Sequence, residues 1–183
     1  PIAGRPCHHR IHPRWRHQSD SYLAIHQRPR IQLKGQKNIT TILLAEDHTI
    51  VRQALKVLLE SDPAFEIVGE AVDGLETMIL VEKLLPDVLL VDLMMPGLNG
   101  LEVTRQVSQR FPEVRILVLS MHADEEYVLE ALKNGTAGYV LKESSASELV
   151  EALKSVTNGQ RYLSPRLNER AIEYYAQSAE SIP

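Results

Sequence analysis

Cysteine and long apolar runs are both scarce in this chain of 183 residues. Its one cysteine, Cys7, excludes an intrachain disulfide framework and is typical of proteins from a reducing compartment such as the cytoplasm. The apolar runs are too short to cross a bilayer, so we expect no transmembrane helix and no membrane partner. The composition that remains, 44% hydrophobic and 24% charged residues, is typical of a soluble globular chain.

Basic residues are distributed unevenly along the chain. Residues 1–38 contain eight of the 20 lysines and arginines, five of the seven histidines and one acidic residue, Asp20. The remainder therefore carries 12 basic and 23 acidic side chains, a net charge near −11. A domain with that charge repels nucleic acid, so we do not expect it to bind DNA directly.

The basic N-terminal segment, residues 1–38, lacks any sustained helical or strand period. Its histidines suggest a metal site and its arginines suggest a nucleic-acid arm, but no apolar stretch of signal-peptide length is present. We favour a disordered or non-native extension. The histidines concerned are His8, His9, His12 and His17.

From residue 39 onward, strand-like and helix-like segments alternate. Four of the five strand-like segments are nearly continuous apolar runs, as expected for parallel strands that are covered on both faces. The strand-like segments are 40–47, 65–71, 87–92, 114–120 and 137–142. Amphipathic helices are predicted near 49–60, 74–84, 100–110, 123–134 and 147–158.

Helix-end signals support these boundaries. Asp73 with Glu76, and Ser145 with Glu148, have the spacing of a capping box. Gly135 and Gly159 each follow an asparagine, where a helix commonly ends in a left-handed residue. We therefore predict an α/β fold of the flavodoxin-like (βα)5 type, with a doubly wound parallel sheet in the order 2-1-3-4-5 and helices on both faces.

Polar side chains follow four of the five predicted strands. Strand one ends in Glu46 and Asp47, strand three in Asp92, strand four in Ser120 and strand five in Lys142. Ligands of open α/β sheets bind at the carboxyl ends of the strands, so these groups are predicted to converge there. Strand two runs into Glu70, which offers no convergent group.

Each of these residues also has an ordinary structural explanation. Asp47 and Ser120 are suitable caps for the helices that follow them, and Lys142 is suitable for a solvated surface position. Because all three are predicted at one edge of the sheet, a shared functional site is favoured over a separate structural role for each residue.

The chemistry of such a cluster follows from its charges. Three carboxylates close together repel one another unless a cation joins them, and Mg²⁺ prefers oxygen ligands. Glu46, Asp47 and Asp92 suit that metal, whereas the lack of neighbouring cysteine or histidine argues against zinc. A metal beside a nucleophilic carboxylate, with a lysine and a hydroxyl opposite, predicts phosphoryl transfer. No phosphate-binding glycine-rich loop is present, so a nucleotide is not the expected donor.

The same residues carry a family resemblance over roughly 39–165. The stretches ILLAEDHTIVRQALKVLLE, VGEAVDGLE, PDVLLVDLMMPGLNGLE, ILVLSMHADEEYVLEALKNGTAGYVLKESSASELVEAL and GQRYLSP closely resemble receiver domains of bacterial two-component response regulators. They are most similar to the NarL/FixJ class of transcription factors.

The resemblance implies specific roles for the acidic residues. Asp92 would accept a phosphoryl group from a phosphohistidine on a sensor histidine kinase. Glu46 and Asp47 would hold Mg²⁺ together with Asp92 and the backbone carbonyl of Met94. The domain would be a phosphoacceptor that catalyses only its own phosphorylation and dephosphorylation.

The resemblance also implies a switch. Ser120 would move toward the phosphoryl oxygens, Lys142 would pair with the phosphoryl group, and Tyr139 would be the aromatic side chain that turns inward. Strands four and five and the fourth helix would change with them. A homodimer through the Tyr139 face, or through helices one and five, would be favoured, and the sequence does not choose between these faces.

Two residues depart from the usual receiver pattern. Glu143 follows Lys142 where many receivers have a proline, so a trans peptide bond is expected there. Met121 is bulkier than the small residue that many receivers place beside the switch hydroxyl, and we hypothesise slow dephosphorylation from that.

The resemblance gives a domain plan of residues 39–160 for the receiver and 161–183 for the start of a linker. The helix-turn-helix domain typical of the class would be absent, so that DNA binding belongs to the parent protein. The alternatives are a standalone receiver that acts through protein contacts and a phosphatase with an aspartyl nucleophile. Such phosphatases need a second acid after the nucleophile, and Leu93, Met94 and Met95 supply none.

Overall fold

Parallel strands alternate with helices in the computed structural model, which describes residues 39–167. The strands are β1 (Thr40–Ala45), β2 (Phe65–Ala71), β3 (Val88–Asp92), β4 (Arg115–Ser120), β5 (Gly138–Leu141) and β6 (Tyr162–Leu163). The helices are α1 (Thr49–Glu60), α2 (Gly74–Leu84), α3 (Gly100–Arg110), α4 (Glu125–Lys133) and α5 (Ala146–Thr157). The interpretations of residues 1–38 and of the linker helix beyond Leu167 lie outside the described residues.

The strands form one parallel sheet in the order β2-β1-β3-β4-β5-β6. The predicted order 2-1-3-4-5 is confirmed, and the sheet gains β6 beside β5, where Gly138 pairs with Tyr162 and Tyr139 with Leu163. Two residues are too few to show an alternating pattern, which is why periodicity alone did not predict β6.

Apolar side chains on both faces of the sheet explain why its strands read as continuous apolar runs. Helices α1 and α5 cover one face, where Leu59, Leu149 and Leu153 pack on Val88 and Leu90 of β3. Helices α2, α3 and α4 cover the other face, where they meet Leu89 and Val91. Since successive strand residues point to opposite faces, β3 supplies both cores, and it lies inside the sheet between β1 and β4.

The predicted helix ends are confirmed. Asp73 Oδ1 accepts a hydrogen bond of 2.8 Å from the Glu76 N–H, and Ser145 Oγ accepts one of 3.2 Å from the Glu148 N–H. Gly135 and Gly159 have φ values of 88° and 79°, as expected of left-handed helix stops. No helix within residues 39–167 is long and apolar enough to cross a membrane.

The start of α3 lies directly against the end of β3. Asn99 caps α3 by accepting a 2.8 Å hydrogen bond from the Glu102 N–H, and the Gly100 N–H donates to the Leu93 carbonyl at 2.9 Å. A Cβ atom on Gly100 would lie 2.1 Å from the Asp92 carbonyl oxygen. Only glycine permits this approach, which fixes the loop that follows Asp92.

Candidate functional site

Four strand ends deliver the predicted polar side chains to one edge of the sheet. Glu46 follows β1, Asp92 ends β3, Ser120 ends β4 and Lys142 follows β5. Glu46 is 1% exposed and Asp92 is 4% exposed, so both acids lie below the surface rather than in solvent. Buried charges need partners, and the site supplies them.

Lys142 lies between the two buried carboxylates. Its Nζ is 2.6 Å from Glu46 Oε2 and 2.9 Å from Asp92 Oδ2, and its side chain is 11% exposed. Burial lowers the pKa of Lys142, but the contacts with Glu46 and Asp92 outweigh burial, so that the pKa is raised overall. The ammonium group therefore stays charged and neutralises the acids.

Asp92 keeps one oxygen away from the lysine. Its Oδ1 accepts a 3.3 Å hydrogen bond from the Met94 N–H, while Oδ2 contacts Lys142. The chain then turns through Gly97, whose φ of 74° lies in the left-handed region that favours glycine. The turn carries the backbone away from Asp92 and leaves the half-exposed Met94 side chain at the rim.

The acidic residues form a group that fits a divalent cation. Ligand atoms of Glu46, Asp47, His48 and Asp92 all lie within 4.8 Å of one another. Glu46 Oε2 and Asp47 Oδ1 are buried, and each contacts a basic side chain. Lys142 Nζ lies 2.6 Å from Glu46 Oε2, and His48 Nδ1 lies 2.8 Å from Asp47 Oδ1. Buried oxygens with spare lone pairs are the ligands that Mg²⁺ requires.

His48 lies beside the acidic residues. The expectation that no histidine neighbours the acids is wrong, because the His48 N–H donates to Glu46 Oε1 at 3.2 Å and folds the imidazole back over the pair. Its Nδ1 lies 3.1 Å from that oxygen. The ring is 67% exposed and stands beside three carboxylates, so the ligand set remains rich in oxygen and still suits Mg²⁺ best.

Ser120 and Tyr139 both hold the backbone of His122. Ser120 Oγ is buried and accepts a 3.1 Å hydrogen bond from the His122 N–H. Tyr139 is fully buried, and its hydroxyl donates to the His122 carbonyl at 2.7 Å. Burial raises the pKa of Tyr139 to about 12. The loop after β4 is therefore tied to the two predicted switch residues.

The alternative roles of the site residues find no support. The N-cap of α1 is His48 rather than Asp47, and the N-cap of α4 is Asp124 rather than Ser120. The Lys142 side chain is 11% exposed and ion-paired rather than solvated. As the sequence predicts, Glu70 takes no part in the site, because its carboxylate pairs with Lys56 Nζ at 2.6 Å.

Arg52 also contributes to the site, although nothing in its sequence position predicts this. Its guanidinium donates to the Glu46 carbonyl at 2.7 Å and lies 3.4 Å from Glu70 Oε2. The side chain thereby fastens the loop that carries the acidic pair to α1. An arginine one turn into a helix has no sequence signature for this role, because it depends on where the preceding loop folds.

Both departures from the receiver pattern lie near the site. No cis peptide bond occurs within the described residues, which confirms the trans bond expected before Glu143. Met121 projects into solvent with 61% of its surface exposed. Slow dephosphorylation from its bulk stays a prediction.

Similarity to known proteins agrees with this geometry. The family model for the response regulator receiver domain matches residues 42–154. The transcriptional regulatory protein DegU of Brevibacillus brevis is 44% identical over 139 residues, which are 76% of this chain and 59% of that protein. The chain thus spans about three fifths of the length of this relative.

Solved structures give the same result. A LuxR-family two-component response regulator from Aurantimonas sp. SI85-9A1 is 34% identical with a TM-score of 0.68, covering 78% of this chain and 99% of that one. A structure of two RcsB dimers bound to two parallel DNAs is 27% identical with a TM-score of 0.66, covering 79% of this chain and 70% of that one.

Proposed function

The chain belongs to the response regulator receiver family, in its NarL/FixJ class. We propose that Asp92 is the residue that becomes phosphorylated in a two-component system. One observation carries the proposal: Asp92 is a buried carboxylate whose Oδ2 contacts Lys142 beside a second buried acid, Glu46. A structural ion pair needs one acid for one lysine, whereas a phosphoryl acceptor needs surplus carboxylates to hold a metal as well.

The proposed reaction is transfer from a sensor histidine kinase. A carboxylate oxygen of Asp92 attacks the phosphorus of a phosphohistidine, the P–N bond breaks, and the leaving imidazole keeps the electron pair and takes up a proton. The product is an acyl phosphate on Asp92. Lys142 remains beside the reacting group and neutralises part of the charge on the phosphoryl oxygens.

Glu46, Asp47 and Asp92, with the backbone carbonyl of Met94, are the proposed ligands of Mg²⁺. When bound, Mg²⁺ supplies charge neutralisation and orients the phosphoryl oxygens. The burial of Glu46 Oε2 and Asp47 Oδ1 beside the carboxylate of Asp92 supports this assignment. Lys142 already contacts one oxygen of Glu46 and one of Asp92, so lysine and metal compete for these two carboxylates in the unphosphorylated state.

Phosphorylation acts as a switch through Ser120 and Tyr139 in this proposal. The added negative charge and acceptor oxygens attract the Ser120 hydroxyl, which then ceases to accept from the His122 N–H. Because Tyr139 donates to the carbonyl of the same residue, movement of His122 changes the face formed by β4, α4 and β5. In this proposal His122 links the phosphorylation site directly to that face, because it contacts both Ser120 and Tyr139.

The proposed partners are a sensor histidine kinase and, after phosphorylation, a second copy of the chain. RcsB, to which the chain is similar, has been solved as dimers bound to DNA. We propose the same output, control of transcription, with the DNA contact made by a part of the regulator outside residues 39–167. The acidic charge of the chain after residue 38 supports that division.

The experiment is incubation with phosphoramidate and Mg²⁺ followed by intact mass spectrometry. The expected result is a gain of one phosphate unit in the wild type and none in Asp92→Asn. Asp87→Asn is the matched control, because Asp87 precedes β3 and its carboxylate accepts hydrogen bonds of 3.0 Å from Thr41, far from the site. Equal phosphorylation of wild type and Asp92→Asn would contradict the proposal.

A further inference from the structure

The chain after α5 folds back along β5, and we name residues Tyr162–Leu167 the strap. Its strand, β6, pairs with β5, and the Ser164 N–H donates to the Tyr139 carbonyl at 2.9 Å. Leu167 is buried in the same core as Tyr139 and Leu141. The strap thus lies against the strand that carries Tyr139 and leads into Lys142.

Ser164 is the centre of the strap. It is 1% exposed, and its hydroxyl has three neighbours. The Leu141 N–H donates to Ser164 Oγ at 3.2 Å, Ser144 Oγ lies 3.1 Å away, and Ser164 Oγ donates to the carboxylate of Glu148. An ionised carboxylate only accepts, so the single Ser164 proton goes to Glu148 and Ser144 donates its own proton to Ser164. The hydroxyl is then fully satisfied.

These three bonds enclose the turn that presents Lys142. The Ser144 N–H donates to the Leu141 carbonyl at 2.9 Å, which closes the turn, and Lys142 lies between them. On the opposite side, the Lys142 N–H donates to the Ser120 carbonyl at 2.8 Å. Ser164 therefore holds both ends of the turn from which the ammonium group reaches Glu46 and Asp92.

We propose that Ser164 is a positioning residue for Lys142, which sets where the ammonium group stands between the metal-binding carboxylates and the phosphoryl acceptor. The proposal rests on the proposed function and adds a residue outside the matched segment 42–154. Glu148 supports Ser164 in this role, because its carboxylate links the first turn of α5 to the strap. Displacement of a positioned group by about 1 Å is enough to slow a reaction up to a hundredfold.

The test compares Ser164→Ala with Thr136→Val. Both remove a buried hydroxyl next to β5, but Thr136 lies at the opposite end, where its Oγ1 is 2.8 Å from the Ile116 and Gly138 carbonyls. Magnesium binding is measured by calorimetry and the rate of phosphate gain by intact mass with phosphoramidate at saturating Mg²⁺. Melting temperatures show that both variants are folded and how far each is destabilised.

In Ser164→Ala we expect Mg²⁺ to bind more tightly than in the wild type, because a loosened Lys142 competes less for Glu46 and Asp92. We also expect phosphate gain to slow by about tenfold. Ser144→Ala, which removes one of the three bonds, gives smaller changes in the same directions. Thr136→Val changes neither quantity, although it lowers the melting temperature.

The proposal is overturned if Ser164→Ala and the wild type bind Mg²⁺ with equal affinity, whatever the rate of phosphate gain. Tighter binding in Thr136→Val to the same extent also overturns it, since the effect would then follow general destabilisation. If the wild type gains no phosphate, the proposed function fails, and the magnesium titration still decides whether Ser164 positions Lys142.

Discussion

Lys142→Met is the substitution whose effect on stability the site geometry determines most directly. Methionine keeps most of the side-chain volume and removes the charge between two carboxylates that are 1% and 4% exposed. Glu46 and Asp92 are then left without the cation that contacts both. Loss of one partner of a buried ion pair leaves a charge that neither water nor protein compensates.

The magnitude follows from the two distances. At 2.6 Å and 2.9 Å, each contact contributes about 6 kcal/mol of Coulomb attraction at an effective dielectric constant of about 20. Desolvation of the ammonium and of the carboxylates offsets much of this. We therefore expect Lys142→Met to lower the free energy of unfolding by about 3 kcal/mol, the lower end of the range for a broken buried pair.

The assay is urea denaturation at 25 °C and pH 7.5, with EDTA and with saturating Mg²⁺. The deficit of Lys142→Met should shrink in Mg²⁺, because the metal replaces the missing cation and binds the variant without competition. Lys154→Met is the matched control: its Nζ is also 2.9 Å from a carboxylate, that of Asp62, but the lysine is 52% exposed. A surface pair of this kind contributes about 0–1 kcal/mol.

Two results would refute this reasoning. If Lys142→Met is no more destabilising in EDTA than Lys154→Met, the carboxylates do not depend on the lysine. Alternatively, a deficit of the same size in EDTA and in Mg²⁺ would show that lysine and metal do not share oxygens.

Two further predictions concern the switch and the loop after Asp92. Since burial raises the pKa of Tyr139 to about 12, the neutral form is favoured by folding, and its contribution to stability is lost as the pH rises from about 10 to 12. Ultraviolet titration should show one fewer late-ionising tyrosine in Tyr139→Phe, and an unchanged curve would contradict the burial. Gly100→Ala places a Cβ 2.1 Å from the Asp92 carbonyl and should lower the free energy of unfolding by about 3 kcal/mol. Gly97→Ala, where a Cβ meets open space at φ 74°, should cost only about 1 kcal/mol in the same denaturation assay, and equal losses would refute the steric argument.

The sequence predicted the elements with strong periodicity or clear end signals. The continuous apolar run of β3 and the Ser145–Glu148 cap of α5 are examples, because burial on both faces and capping are local properties of the chain. Strand β6 was missed, because two residues pair with β5 only once α5 has turned the chain back. Its position is a property of the tertiary fold.

The site shows the same division. Convergence of Glu46, Asp92, Ser120 and Lys142 follows from the rule that parallel strands present their carboxyl ends at one edge. The insertion of Lys142 between two acids and the folding of His48 over Glu46 depend on side-chain rotamers, which residue spacing does not encode. The Ser164 contacts depend on the strap, which joins residues far apart in sequence.

The position of the phosphate is the most direct measure of the central claim. The wild type is treated with phosphoramidate and Mg²⁺, and borohydride then reduces any aspartyl phosphate to homoserine, which peptide mass spectrometry locates. We predict homoserine at residue 92 alone, and none when EDTA replaces Mg²⁺. Homoserine at another aspartate, or at no position, would contradict the assignment of Asp92 as the phosphoryl acceptor.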